Sequence, residues 1–237
     1  MKSTCCRLLL LFGCVLLLAG IGFAGPCPST TYDNYLGSGF SCGTDDKTFA
    51  NFSYQSTSNP PGFSVPAGSV SVQPITTVGN PGFRFSAGWM ASNASGILAV
   101  DSLIGYDVTV NPGGALITDV SLGIGGVGFA GTGSVFVDET VCLGAMLPSC
   151  TGGQFEQLSV YDYSGGTKLF DELSFAGVSF VDVEKDIEIN AGTDGTARLS
   201  LVTNQFSEST TPEPGSIVLF GSGVLGLAGL LRRKFSL

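Results

Sequence analysis

Residues 181–189, VDVEKDIEI, decide the fold class of this chain. Apolar residues and carboxylates alternate along the stretch, and a period of two is typical of a β-strand with one buried face and one solvated face. The carboxylates that would share the solvated face are Asp182, Glu184, Asp186 and Glu188. Lys185 interrupts the apolar face, which predicts a sheet edge or the end of a strand at that position.

Calcium binding is the alternative role for this acidic face. Ca²⁺ takes six to eight oxygen ligands at about 2.3–2.6 Å, whereas side chains two positions apart on a strand stand roughly 6.5–7 Å apart and parallel. The spacing therefore favours solvated side chains over a metal site, with Asp182, Glu184 and Asp186 kept as calcium candidates. The acidic pairs 45–46 and 138–139 are predicted to lie in loops, with no better geometry for calcium.

Strand patterns continue through most of the chain. Short alternating or aromatic runs are separated by turn sequences such as NPPG, NPG and NPGG. The predicted strands are 49–54, 69–73, 83–85, 103–110, 115–124, 134–143, 157–163, 168–175, 178–190 and 196–206. No segment of the body shows a helical period, and the glycine-rich run 123–128 is predicted to be a bulged strand or loop. These features predict an all-β body, a β-sandwich or jelly roll.

The body is acidic. Residues 25–211 hold five basic and 18 acidic residues, a formal net charge of −13. Nucleic acids and anionic membrane surfaces are bound through basic patches, so the charge argues against both as partners of the body.

Histidine is absent from all 237 residues. Its absence excludes a Ser-His-Asp triad, a Cys-His dyad and a histidine-based metal centre. No phosphate-binding loop or dinucleotide fingerprint is present. The sequence therefore predicts a protein that is not an enzyme and has no cofactor. Glycoside hydrolysis through a pair of carboxylates needs no histidine and stays as an alternative.

An aromatic group near a glycine-rich turn offers a second alternative function. Exposed on one sheet face, Phe83, Phe85 and Trp89 would stack on sugar rings, as in a carbohydrate-binding module. Buried, they would belong to the sandwich core, where aromatic side chains contribute much of the packing. The core interpretation is favoured.

The N-terminus has the order of a signal peptide. Lys2 and Arg7 precede an apolar run at 8–21, and small residues follow it. Cleavage is predicted between Ala24 and Gly25, and the chain is expected to be exported.

Four cysteines remain after such a cleavage: Cys27, Cys42, Cys142 and Cys150. An even number of cysteines in an exported protein predicts disulfides. Four cysteines allow three pairings, and the local pairs 27–42 and 142–150 are preferred because each closes a loop rich in Gly, Ser or Pro. A zinc site is disfavoured, since no CxxC pair is present.

The C-terminal segment predicts a membrane span. Residues 217–231 carry no charge, and counting from 215 the run reaches the short end of the roughly 17–25 residues that cross a bilayer. Pro212 and Pro214 mark its start, because proline is not accommodated inside a helix. Arg232, Arg233 and Lys234 follow and would stay cytoplasmic, which places the body on the other side of the membrane.

Pro212, Glu213 and Pro214, a short apolar span and a terminal basic cluster resemble, in that order, the PEP-CTERM sorting signal of exported bacterial proteins. The resemblance implies that these three residues form the motif read by exosortase, a membrane-embedded sorting enzyme that cuts near it. It also implies a link to biofilm or extracellular polysaccharide.

Together these features predict three parts: a signal peptide at 1–24, a β-sandwich body at 25–211 and a sorting and anchoring segment at 212–237. The expected protein is exported and non-enzymatic, and its partners are the export machinery and an exosortase-type enzyme. It is expected to be anchored in the inner membrane facing the periplasm, and then to reach the cell surface or the extracellular matrix.

Overall fold

Antiparallel β-strands make up most of the residues that the computed structural model describes, which are 24–208. The strands are β1 (Thr30–Thr31), β2 (Ser41–Thr44), β3 (Lys47–Asn59), β4 (Ser71–Ile75), β5 (Gly82–Ser92), β6 (Ala99–Val110), β7 (Ile117–Gly125), β8 (Gly128–Ala130), β9 (Ser134–Leu143), β10 (Gln154–Tyr163), β11 (Gly166–Lys168), β12 (Phe170–Val178), β13 (Phe180–Asn190) and β14 (Thr196–Glu208). Three short 3₁₀ helices cover Tyr32–Tyr35, Ala67–Ser69 and Asn93–Ser95.

The strands form two seven-stranded sheets. The first sheet has the order β11-β10-β9-β13-β6-β3-β2, and the second has the order β1-β4-β5-β14-β7-β12, with β8 paired to β14. The predicted all-β sandwich is confirmed. The predicted strands 178–190 and 196–206 correspond to β13 and β14, which lie in opposite sheets, so the chain crosses the core between them.

The position of β13 corrects one prediction. β13 pairs along its length with β9 on one side and with β6 on the other, so it lies in the middle of the first sheet. The expectation that Lys185 marks an edge or a strand end is therefore wrong, and its side chain is fully buried. The strand predicted at 134–143 is confirmed as β9, so the separate expectation that the pair 138–139 lies in a loop is wrong, and Glu139 is also fully buried.

The core between the sheets is rich in aromatic side chains. Phe83, Phe85 and Trp89 on β5 have no solvent exposure, and Trp89 Nε1 donates a hydrogen bond to Ser102 Oγ at 3.1 Å. Phe83 and Phe85 pack within 6.1 Å of the Tyr106 ring centroid. The core interpretation of these three residues is confirmed, and they form no sugar-binding face.

Both predicted disulfides are confirmed. Cys27 bonds to Cys42 and ties the N-terminal segment to β2, and Cys142 bonds to Cys150 across the β9–β10 loop. Gly25, next to the predicted cleavage point, accepts a 2.7 Å hydrogen bond from the Gly43 amide of β2. The predicted start of the mature chain is thus held along the first sheet, while the cleavage itself stays a prediction.

The described part of the chain contains no helix long and apolar enough to cross a membrane. The apolar run of the predicted signal peptide and the predicted membrane span at 215–231 lie outside the described residues. So do the sorting residues Pro212, Glu213, Pro214, Arg232, Arg233 and Lys234.

Candidate functional site

A cluster of four polar side chains lies in the centre of the sandwich. Tyr106 on β6, Glu139 on β9 and Lys185 on β13 come from adjacent strands of the first sheet, and Asn204 on β14 faces them from the second sheet. Each is at most 1% exposed. We call these four residues the polar core cluster.

Each residue of the polar core cluster contacts at least two others. Asn204 Nδ2 donates to both carboxylate oxygens of Glu139 at 3.0 Å and to the Ser121 carbonyl at 2.9 Å. Tyr106 Oη donates to Asn204 Oδ1 at 2.5 Å and accepts from Lys185 Nζ at 3.3 Å. Lys185 Nζ lies 3.6 Å from Glu139 Oε2 and 4.4 Å from the centroid of the Tyr106 ring.

Burial pushes the ionisable members of the polar core cluster toward their neutral forms. Loss of hydration lowers the pKa of Lys185 to about 8, although the Glu139 charge acts in the opposite direction. Burial likewise raises the pKa of Glu139, despite the opposing effects of Lys185 and Asn204. A neutral amine, a protonated carboxyl and a carboxamide are therefore accessible together in a region that excludes water.

The outer face of the first sheet is acidic. Asp138, Asp186 and Glu188 point outward from β9 and β13, as the alternating burial of both strands requires. Asp138 lies directly opposite Asp186, and Glu188 lies opposite Asp101 of β6. The predicted shared face of 182–188 is thus confirmed, with 186 and 188 exposed and 182 and 184 half-buried.

Burial, and then neighbouring negative charge, raises the pKa of two carboxyls on this face. The pKa of Asp182 rises to about 6, mainly through burial, with Asp107 and Glu184 adding to the rise. The pKa of Asp186 also rises to about 6, through burial and then through neighbouring acids, of which Asp101 has the largest effect. Asp182 and Glu184 line a cavity of about 260 Å³ beneath the 146–148 loop.

Three aromatic side chains adjoin the acidic residues. Phe136 lies opposite Tyr161 on β10 and opposite Glu188 on β13. The ring centroids of Phe136, Tyr161 and Tyr163 lie 5.3–5.9 Å from one another, and all three are half-buried on the outer surface. We call these three residues the outer aromatic trio. These aromatics were not predicted as a site from the sequence, although each member falls at an outward position of an alternating strand.

The calcium candidates do not converge. Among the described residues, the carboxylate group whose oxygens lie within 4.8 Å of one another is Asp45, Asp46 and Glu208, and it excludes 182, 184 and 186. Lys47 contacts both Asp46 and Glu208, so a cation already occupies that position. The acidic side chains of β13 therefore form a charged surface, and they do not have the geometry of a calcium site.

The polar core cluster was also missed, although the sequence carried its signal. Glu139 falls at an inward position of the otherwise apolar series 135, 137, 141, and Asn204 falls between inward residues 202 and 206. With Lys185 on β13, three strands each carry one polar residue on a buried face. One polar residue on a buried face suggests an irregular strand. Three such residues on three strands indicate that their side chains meet in the core.

The fold and the C-terminal segment together define an exported β-sandwich protein that carries a sorting signal. Residues 210–234 match the family model of the PEP-CTERM protein-sorting motif. The segment predicted from its Pro-Glu-Pro, apolar and basic parts is therefore a PEP-CTERM sorting motif, and it begins close to the end of β14 at Glu208.

The chain is similar to several solved structures at low sequence identity. TmCBM61, solved in complex with β-1,4-galactotriose, is 13% identical, with a TM-score of 0.32 over 65% of this chain and 88% of that one. The family 32 CBM of C. perfringens NanJ, in complex with galactose, is 13% identical, with a TM-score of 0.25 over 65% and 93%. The family 11 carbohydrate-binding module of Clostridium thermocellum is 11% identical, with a TM-score of 0.23 over 68% and 96%. No curated protein matches the sequence.

Proposed function

We propose that this protein is a non-enzymatic component of the cell surface or extracellular matrix. The β-sandwich body is exported across the inner membrane and stays anchored on the periplasmic side by the C-terminal segment. The protein is then processed by an exosortase-type enzyme. The observation that carries the proposal is the PEP-CTERM motif at 210–234, placed directly after the last strand of the sandwich. That position leaves little chain between the domain and the membrane until the segment is cut.

The chemistry of the body supports an oxidising compartment. Both disulfides, 27–42 and 142–150, close within the sandwich, and structural disulfides are typical of exported proteins. The body's net charge of −13 keeps it soluble and away from anionic surfaces.

Cell fractionation tests the proposed route. The wild-type chain and a Glu213→Ala variant are expressed in a host with an exosortase, and accessibility to external protease is measured. The Thr211→Ala variant is the matched control, because it alters a neighbouring residue outside the Pro-Glu-Pro motif. We expect wild type and control at the surface or in the medium, and the variant retained in the membrane. Identical distribution of all three would contradict the proposal.

Polysaccharide binding is the second candidate function. Aromatic rings on an outer sheet face stack on sugar rings, and the outer aromatic trio supplies such a platform beside hydrogen-bonding carboxylates such as Glu188. A polysaccharide pull-down tests it with Phe136→Ala and Tyr161→Ala. Phe170→Ala is the control, since Phe170 is 57% exposed on β12 of the second sheet. Binding lost in the first two variants and kept in the control supports this function, and equal binding by all contradicts it.

A carboxylate-dependent glycoside hydrolase remains the third candidate. The pair that would serve it is Asp182 and Glu184, which share a cavity and include a carboxyl with a raised pKa. Our proposal predicts no release of reducing ends from polysaccharide substrates. Release that disappears in Asp182→Asn would overturn the non-enzymatic assignment.

A further inference from the structure

The polar core cluster has the components of an amide-forming reaction. Lys185 and Asn204 reach the core from opposite sheets and contact the same two groups, the Glu139 carboxyl and the Tyr106 hydroxyl. We propose that the Lys185 side chain condenses with the Asn204 carboxamide to form an intramolecular isopeptide bond that links the two sheets covalently.

The reaction joins Lys185 Nζ to Asn204 Cγ and breaks the Cγ–Nδ2 bond. The deprotonated amine attacks the carboxamide carbon, and the proton lost from Nζ is carried by the Glu139 carboxyl to Nδ2, which leaves as ammonia. A primary amine and a primary amide thus become a secondary amide and ammonia. No oxidant, reductant or additional reactant is required.

Each group in the cluster is placed for its step. Burial disfavours the charged forms of Lys185 and Glu139, so the amine is available as a nucleophile and the carboxyl as an acid. Glu139 contacts both Lys185 Nζ and Asn204 Nδ2, the atoms between which the proton moves. Tyr106 donates a hydrogen bond to Asn204 Oδ1, where negative charge develops during attack.

The surroundings favour bond formation over hydrolysis. All four side chains are at most 1% exposed, so water does not compete with the amine for the carboxamide. The backbones of β5 and β14 also lie close together at Asn204: a Cβ at Gly82 of β5 would lie only 2.0 Å from the Asn204 backbone carbonyl oxygen, so glycine is required for this approach.

A simple buried ion pair explains the cluster less well. Lys185 Nζ and Glu139 Oε2 are 3.6 Å apart, longer than a charge-assisted hydrogen bond, and burying two ions is costly without close contact. A covalent link removes the lysine charge. It would also fasten Asn204, near the end of β14, to the middle of the first sheet, so that a pull on the anchored C-terminal segment is resisted by a covalent bond.

Peptide mapping of the full chain tests the inference. The protein is purified from an exporting host and digested with a protease that cleaves after glutamate, which releases 185–188 and 189–208 as separate fragments from an unlinked chain. We expect them joined, with a mass equal to their sum less one ammonia, and the free 189–208 fragment absent.

The variants identify the reacting groups. Glu139→Gln keeps the side-chain shape and removes the acid, so the fragments should separate. Glu172→Gln, an exposed change on β12, should leave them joined. Far-UV circular dichroism and intact disulfides verify folding. Separate fragments from folded wild-type protein would overturn the proposal, whatever the variants do, and a linked Glu139→Gln chain would overturn the role of Glu139.

Discussion

Replacing Asp186 by asparagine should stabilise the protein at neutral pH. Asp186 lies on the acidic outer face, directly opposite Asp138, and burial and neighbouring acids raise its pKa from 3.8 to about 6. Because the pKa is higher in the folded protein than in the unfolded chain, the folded state binds more protons between these values. The contribution of Asp186 to the free energy of unfolding therefore rises as the pH falls from about 7 to about 4, and its ionised carboxylate is a destabilising group above that range.

The size of the effect follows from the pKa and the exposure. A rise from 3.8 to about 6 corresponds to about 3 kcal/mol at face value. The side chain is exposed, and solvent screening reduces the contribution to about 1 kcal/mol. Asp186→Asn should therefore gain about 1 kcal/mol at pH 7.5 and much less at pH 4.5, where the wild-type carboxyl is already protonated in the folded state.

Urea unfolding measures this gain. Trp89 is the single tryptophan of the chain and is fully buried, so its fluorescence reports loss of the core directly. Glu172→Gln serves as a control for removing an acid from the outer face of the other sheet. If Asp186→Asn is no more stable than wild type at pH 7.5, or gains equally at both pH values, the reasoning about the acidic face is refuted.

Three further changes test the packing. Trp89→Ala should lower the free energy of unfolding by about 4 kcal/mol, because it removes a fully buried ring, and an unchanged thermal melt would show that Trp89 is not a core residue. Replacing Cys142 and Cys150 by serine should cost about 2–3 kcal/mol for a loop of this size, and stability equal to wild type in chemical unfolding would contradict the disulfide's contribution. Lys47→Met should cost about 3 kcal/mol, because it leaves the Asp46 and Glu208 carboxylates without their shared cation, and the loss should be smaller at acidic pH, where these groups protonate. A loss independent of pH would assign the effect of Lys47 to packing alone.

The alternating pattern predicted the sandwich, because burial imposes a period of two on each strand separately. The two disulfides were predicted from the even number of cysteines and the short loops that they close, and the core position of Phe83, Phe85 and Trp89 from the packing role of aromatic side chains. The alternating pattern did not predict which strands become neighbours. The position of Lys185 shows the consequence: taken alone, one lysine on an apolar face indicates an edge. The other cluster members Glu139 and Asn204 are 46 and 19 positions away in sequence, and they join the same cluster as Lys185 only through the pairing of β13 with β9 and the crossing to β14.

The two surface features also differ in whether the sequence alone predicted them. The acidic face lies on one strand and was predicted from the sequence of 181–189. The outer aromatic trio is assembled from β9 and β10, so its rings come together only once the register between these strands is known. The sorting motif was predictable because its recognition depends on a short contiguous sequence.

The C-terminus of the exported protein is the most direct test of the account. Mass spectrometry should be applied to the protein recovered from cells with an active exosortase and from cells without one. We predict that the first ends at or near Pro212–Glu213–Pro214 and that the second retains the apolar span and the Arg232–Arg233 cluster. A chain that keeps its whole C-terminal segment in cells with active exosortase would contradict the central claim.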